Sequence, residues 1–128
     1  MLRDSAMTFV GGGTMGEAMI KGLLDRRLIE PALITASDPA PERRTHLSDQ
    51  YGVHVTDDNV EAVSRAKVIV LSIKPQVYKK VAAELRGKIP ADALVLSIIA
   101  GTRISALQKG LAHRAIARAM PNTPAQIG

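Results

Sequence analysis

Apolar positions along the chain fall into two rhythms. Short continuous runs occur at Met7–Val10, Leu33–Ser37, Val53–Thr56, Lys67–Ile73, Ala93–Ile99 and Arg114–Ala119. Runs of this length, apolar on both faces, predict strands of a parallel sheet covered on both sides. Between them the apolar residues recur at helical spacing. A helix is predicted from Thr14 to Arg27, with Met15, Ala18, Met19, Gly22 and Leu23 on one face. Pro41 opens a polar helix to Tyr51, and Asp57, Asp58 and Asn59 offer N-caps for a short helix through Val63. Pro75 opens another to Arg86, with Val77, Val81, Ala82 and Leu85 inward, and Ile104–Leu111 forms the last. Residues 120–128 read as loop.

Strands that alternate with helices imply βαβ crossovers and an α/β fold. Right-handed crossovers then predict a doubly wound parallel sheet with strand order 3-2-1-4-5-6, formed as a single domain by residues 1–128. Ligands of such sheets bind at the carboxyl ends of the strands. Five turns are expected to converge there: Gly11–Gly16, Ser37–Asp38, Ser72–Pro75, Ile99–Gly101 and Met120–Thr123.

The first of these turns carries the clearest chemistry. Gly11, Gly13 and Gly16 have the G-x-G-x-x-G spacing, placed between a strand and a helix, which points to dinucleotide binding. Gly11 permits the tight turn, Gly13 lets a pyrophosphate approach the backbone, and Gly16 lets helix and strand pack closely. The helix N-terminus adds open N–H groups and a positive dipole end. Gly12 makes the stretch looser than the pattern requires.

Asp38 lies about 20 residues past Gly16, where a ribose-binding carboxylate is expected. It would accept from the ribose hydroxyls and repel a 2′-phosphate, favouring NADH, or it could simply cap the following helix. Ser37, Arg43 and Arg44 could instead serve a 2′-phosphate, although the two arginines read more naturally as a solvated helix face. Lys74, after a buried strand, could meet a phosphate or carboxylate, or be a surface lysine at a helix start. Pro75 needs no role beyond fixing the first helical turn.

Composition narrows the classes. Of 128 residues, 46% are hydrophobic but only 2% aromatic, so the core is built from aliphatic side chains. No cysteine is present, which excludes disulfides and thiolate metal sites. His46, His54 and His113 have no ligand-like spacing, so no metal is expected. The net charge is +5, but the basic residues are scattered without aromatic partners, which argues against nucleic acid. No residue after Asp92 is acidic, while Arg103, Lys109, Arg114 and Arg118 follow. No transmembrane run or signal-peptide pattern occurs, so no membrane partner is expected and a cytoplasmic location is.

Four stretches together resemble the N-terminal half of the pyrroline-5-carboxylate reductases: FVGGGTMGEAMIKGL, VLSIKPQ, SIIAG and MPNTPAQIG. The first is shared by many dehydrogenases; SIKP with MPNTP is far more specific. The resemblance implies a Rossmann-type NAD(P)-binding fold and reduction of the C=N bond of 1-pyrroline-5-carboxylate by NADPH or NADH, giving L-proline. It places the pyrophosphate at Gly11, Gly12, Gly13, Thr14 and Met15, with Val10 also against the cofactor. The adenosine end falls near Ser37, Asp38 and Asn59. The nicotinamide side falls at Ser72, Ile73, Lys74, Pro75, Ile98, Ile99 and Ala100, with Met120, Pro121, Asn122 and Thr123 toward the substrate. It implies no catalytic acid or base in this half. The family commonly reads G-A-G-N-M where this chain has Gly-Gly-Gly-Thr-Met. Its members continue into a helical domain that forms homo-oligomers and much of the substrate pocket. That domain is absent here, so the chain reads as the cofactor-binding half, with little or no reductase activity alone. The alternatives are a stand-alone NAD(P)-binding sensor module and the cofactor domain of a hydroxyacid- or prephenate-type dehydrogenase.

Overall fold

The computed structural model describes residues 5–119. Six strands form one parallel sheet: β1 (Met7–Val10), β2 (Ile34–Ser37), β3 (His54–Thr56), β4 (Val68–Leu71), β5 (Leu94–Ser97) and β6 (Ile116–Arg118). Their order is β3-β2-β1-β4-β5-β6, as the alternating pattern predicts. The central strand β1 aligns Met7 with Ile34 on one side and with Val68 on the other. Five helices connect the strands: α1 (Thr14–Asp25), α2 (Pro41–Tyr51), α3 (Asn59–Val63), α4 (Pro75–Leu85) and α5 (Ile104–Leu111).

Alternate residues of the sheet feed two cores. Phe9, Ile34, Ala36 and Val70 pack with Ile20 of α1 and Leu47 of α2. Val10, Ile69, Leu71 and Val95 pack with α3, α4 and α5 through Val63, Val81, Leu85, Leu107 and Leu111. The strands β1 and β4 are thus buried on both faces, which is why their sequences are continuous apolar runs rather than alternating ones.

Several expected boundaries move. α1 ends at Asp25 rather than Arg27, because Arg27 takes a left-handed φ of 54°. Its buried face is Gly16 and Ile20; Ala18, expected inside, is exposed. The strand expected over Ala93–Ile99 is only Leu94–Ser97, and Leu94 is 42% exposed. Val77 of α4, expected inward, is 40% exposed. In each case the helical or strand rhythm is right and the phase is set by the neighbour. α1, for instance, packs its closest approach at the residue that has no side chain.

Candidate functional site

The glycine turn joins β1 to α1 at the carboxyl edge of the sheet, between β2 and β4. Gly11 has φ 105°, and a Cβ there would lie 2.6 Å from the Ser72 carbonyl oxygen. A Cβ on Gly16 would lie 2.7 Å from the Gly11 carbonyl oxygen. Both glycines are therefore required by the chain itself. Gly13 differs: its φ is −77° and no protein atom lies within 4 Å of the Cβ it lacks. Nothing inside the protein demands glycine there, and the open space faces outward.

Residues at the ends of β2 and β4 and on α2 hold the backbone groups of Gly11 and Gly12. Gly11 N donates to the Ser37 carbonyl (2.9 Å), and Ser72 Oγ donates to the Gly11 carbonyl (2.8 Å). Gly12 N donates to Asp38 Oδ2 (2.9 Å). The Gly12 carbonyl accepts from Arg43 Nε (2.8 Å) and Nη2 (2.6 Å). Beyond it the pattern reverses: among the described residues, the amides of Gly13, Thr14 and Met15 have no protein partner. Three consecutive open N–H groups at the start of a helix form an anion cradle.

Two grooves flank the turn. One is lined by Gly13, Thr14, Met15, Ser72, Ile73, Lys74, Pro75, Ile98 and Ala100. The other is walled by Val10, Gly11, Ser37 and Asn59, with Ile73, Val77 and Lys80 opposite. Ser37 Oγ donates to Asn59 Oδ1 (2.6 Å), and Asn59 Nδ2 donates to Glu84 Oε1 (2.8 Å). The turns after β1, β2, β4 and β5 thus meet as expected. Ile99 does not line a groove; it is 1% exposed, in the core beneath. Gly12 faces Leu47 and Asp38 rather than either groove. Met120, Pro121, Asn122 and Thr123 lie outside the described residues.

Three expectations change at the end of β2. Asp38 stands where a ribose-binding acid belongs, but its carboxylate is engaged by backbone: Oδ2 takes Gly12 N, and Oδ1 takes Ala40 N (2.8 Å). It lines neither groove. Nor does it cap α2, whose N-cap is Ala40. Arg43 and Arg44 are not a solvated face: Arg43 grips the glycine turn, and Arg44 Nη1 donates to the Asp38 carbonyl (2.8 Å).

Glu17, unnoticed in the sequence, is the hub behind this. Its carboxylate accepts from Arg43 Nη2 (2.7 Å), His46 Nε2 (2.9 Å) and Tyr51 OH (2.6 Å). Hydrogen bonds from Tyr51, then His46 and Arg43, lower its pKa to about 2. No local signal marks this cluster, because Glu17 and Arg43 lie on different helices. Lys80, also unremarked in the sequence, lines the second groove from α4 beside Val77 and Val81. Among the described residues no group of acids and histidines could hold a metal, and no helix is long and apolar enough to cross a membrane.

Residues 6–101 match the model of the family described as NADP oxidoreductase coenzyme F420-dependent. Over 119 residues the chain is 42% identical to a pyrroline-5-carboxylate reductase of Synechocystis sp., covering 93% of this chain and 44% of that protein. A solved structure of a pyrroline-5-carboxylate reductase from Coxiella burnetii superposes with a TM-score of 0.89 at 33% identity, covering 96% of this chain and 46% of that one. The pyrroline carboxylate reductase of Plasmodium falciparum, solved with NADP bound, shares the fold with a TM-score of 0.82 at 22% identity, over 99% and 46%. The chain spans about half the length of the curated relatives it matches.

Proposed function

Because the chain belongs to the family described as NADP oxidoreductase coenzyme F420-dependent, we propose that it is the cofactor-binding part of a pyrroline-5-carboxylate reductase that uses NADPH or NADH. The observation that carries this is the run of open amides at Gly13, Thr14 and Met15, facing a groove shared with Ser72–Pro75 and Ile98. The Cβ position of Gly13 is empty space, so no other part of the protein fills the approach to these amides. The identity of the curated relatives and the SIKP and MPNTP stretches support the substrate assignment.

In this reading the amides of residues 13–15 hold the pyrophosphate. Ser37, Asn59 and Lys80 face the adenosine half, and Ser72, Lys74, Ile98 and Ala100 face the nicotinamide half. The cofactor, when bound, supplies the hydride that reduces a C=N bond. The chain's own work is positional. Ser72 ties β4 to the turn through the Gly11 carbonyl, fixing the two walls of the groove relative to each other. Pro75 starts α4 beside that wall, and Ile98 keeps one side of it apolar. Met120, Pro121, Asn122 and Thr123 serve the substrate side in this proposal, with homo-oligomers of the longer relatives closing the pocket. The protein acts in the cytoplasm, without membrane or nucleic-acid partners.

Gly13→Val tests the site. The branched side chain would fill the space over the open amides without touching protein, so folding should persist by circular dichroism while calorimetric binding of NADPH and NADH falls at least about tenfold. Unchanged affinity would show that the dinucleotide does not lie on this turn.

A further inference from the structure

We propose that Glu17 and Arg43 are positioning residues for the dinucleotide: Arg43 holds the Gly12 carbonyl on the α2 side of the turn, Glu17 holds Arg43, and together they aim the Gly13 amide into the groove. The proposal rests on the reading of that groove as a cofactor site.

Both backbone groups of Gly12 are held from one side. Asp38 takes its N–H, and Arg43 takes its carbonyl with two donors. The chain has no cis peptide among the described residues, so the Gly12 carbonyl and the Gly13 N–H point in opposite directions. Anchoring the one therefore aims the other away from α2, toward the groove that Gly13 lines. The guanidinium also offsets the negative end of a carbonyl that sits next to the anion cradle.

Arg43 needs a counterweight for this task. A free arginine beside a phosphate site would swing to the phosphate itself. Glu17 prevents that by taking Nη2, and Glu17 is in turn fixed by Tyr51 and His46. Its side chain is 23% exposed and that of Arg43 33%, so both are partly shielded from water. A lysine could not replace the arginine, because one ammonium lacks the planar fork that spans carbonyl and carboxylate.

The test compares four variants of the 128-residue chain, ¹⁵N-labelled and titrated with NADPH. Arg43→Met should lower affinity about tenfold, the scale of one charge-assisted hydrogen bond. The amides of Gly13 and Thr14 should shift and exchange faster, while that of Leu23 in α1 stays protected. Glu17→Gln should act in the same direction, less strongly, and Arg43→Lys should not restore binding. Tyr51→Phe is the graded comparison: it removes one of the three bonds that fix Glu17 without touching the Gly12 carbonyl, and should cost less affinity than Glu17→Gln. The proposal is overturned if Arg43→Met binds like wild type, or if Tyr51→Phe costs as much affinity as Arg43→Met. A wild type that binds no dinucleotide would instead overturn the reading of the groove.

Discussion

Glu17 carries a charge that the protein works to preserve. A carboxyl that ordinarily titrates near 4.5 is held to about 2 by Tyr51, His46 and Arg43, all on α2. On its own helix the next charges, Lys21 and Asp25, pair with each other. A depressed folded pKa stabilises the native state fully above the unfolded value, and that contribution fades as pH falls from about 4.5 to about 2. The melting temperature of wild type should therefore exceed that of Glu17→Gln at pH 6, and the gap should shrink steadily between pH 5 and pH 2.5. A gap that stays constant through this window would mean that the ionised form of Glu17 is not what the network stabilises. Gly11 and Gly13 show the other lesson at this scale. The motif spacing treats them alike, yet one is demanded by a positive φ and a backbone contact, and the other by nothing in the chain.

At the scale of the element, α1 contains a glycine with no such reason. Gly22 sits in the helix interior, and a Cβ there would meet nothing within 4 Å. Gly22→Ala should raise stability by about 0.5–1 kcal/mol, measured by urea unfolding, because alanine loses less conformational freedom on folding. A loss of stability would mean that α1 packs more tightly at this position than the structure shows. The elements themselves were largely readable from sequence, because a sheet covered on both faces leaves unbroken apolar runs and its crossover helices leave a helical rhythm. Strand order, too, followed from alternation and crossover handedness. What local pattern could not carry was phase and partnership. The inward face of α1 depends on Gly16 meeting β1, and the exposure of Val77 depends on the groove beside it. The roles of Arg43 and Arg44 were misread for the same reason: a charged side chain near a turn is ambiguous until the fold shows which backbone group it reaches.

For the molecule as a whole, the sheet puts its earliest strand in the middle. β1 must wait for β2 on one side and β4 on the other. Pairings this distant in sequence make for slow folding, in the range of milliseconds to seconds for a domain of this kind. Stopped-flow refolding monitored by circular dichroism should show no complete microsecond phase, and a fully folded sheet within that dead time would contradict the expectation. The glycine turn inherits the same delay. Its residues are among the first made, but its shape is imposed by Arg43, 31 positions later, and by Ser72, 61 positions later. A nascent chain on the ribosome that has emerged only as far as Ser64 carries the whole glycine motif and yet has no groove. Competence to take up a dinucleotide thus arrives only after β4 has docked, so a chain that has emerged no further than Ser64 cannot draw on the cell's cofactor pool.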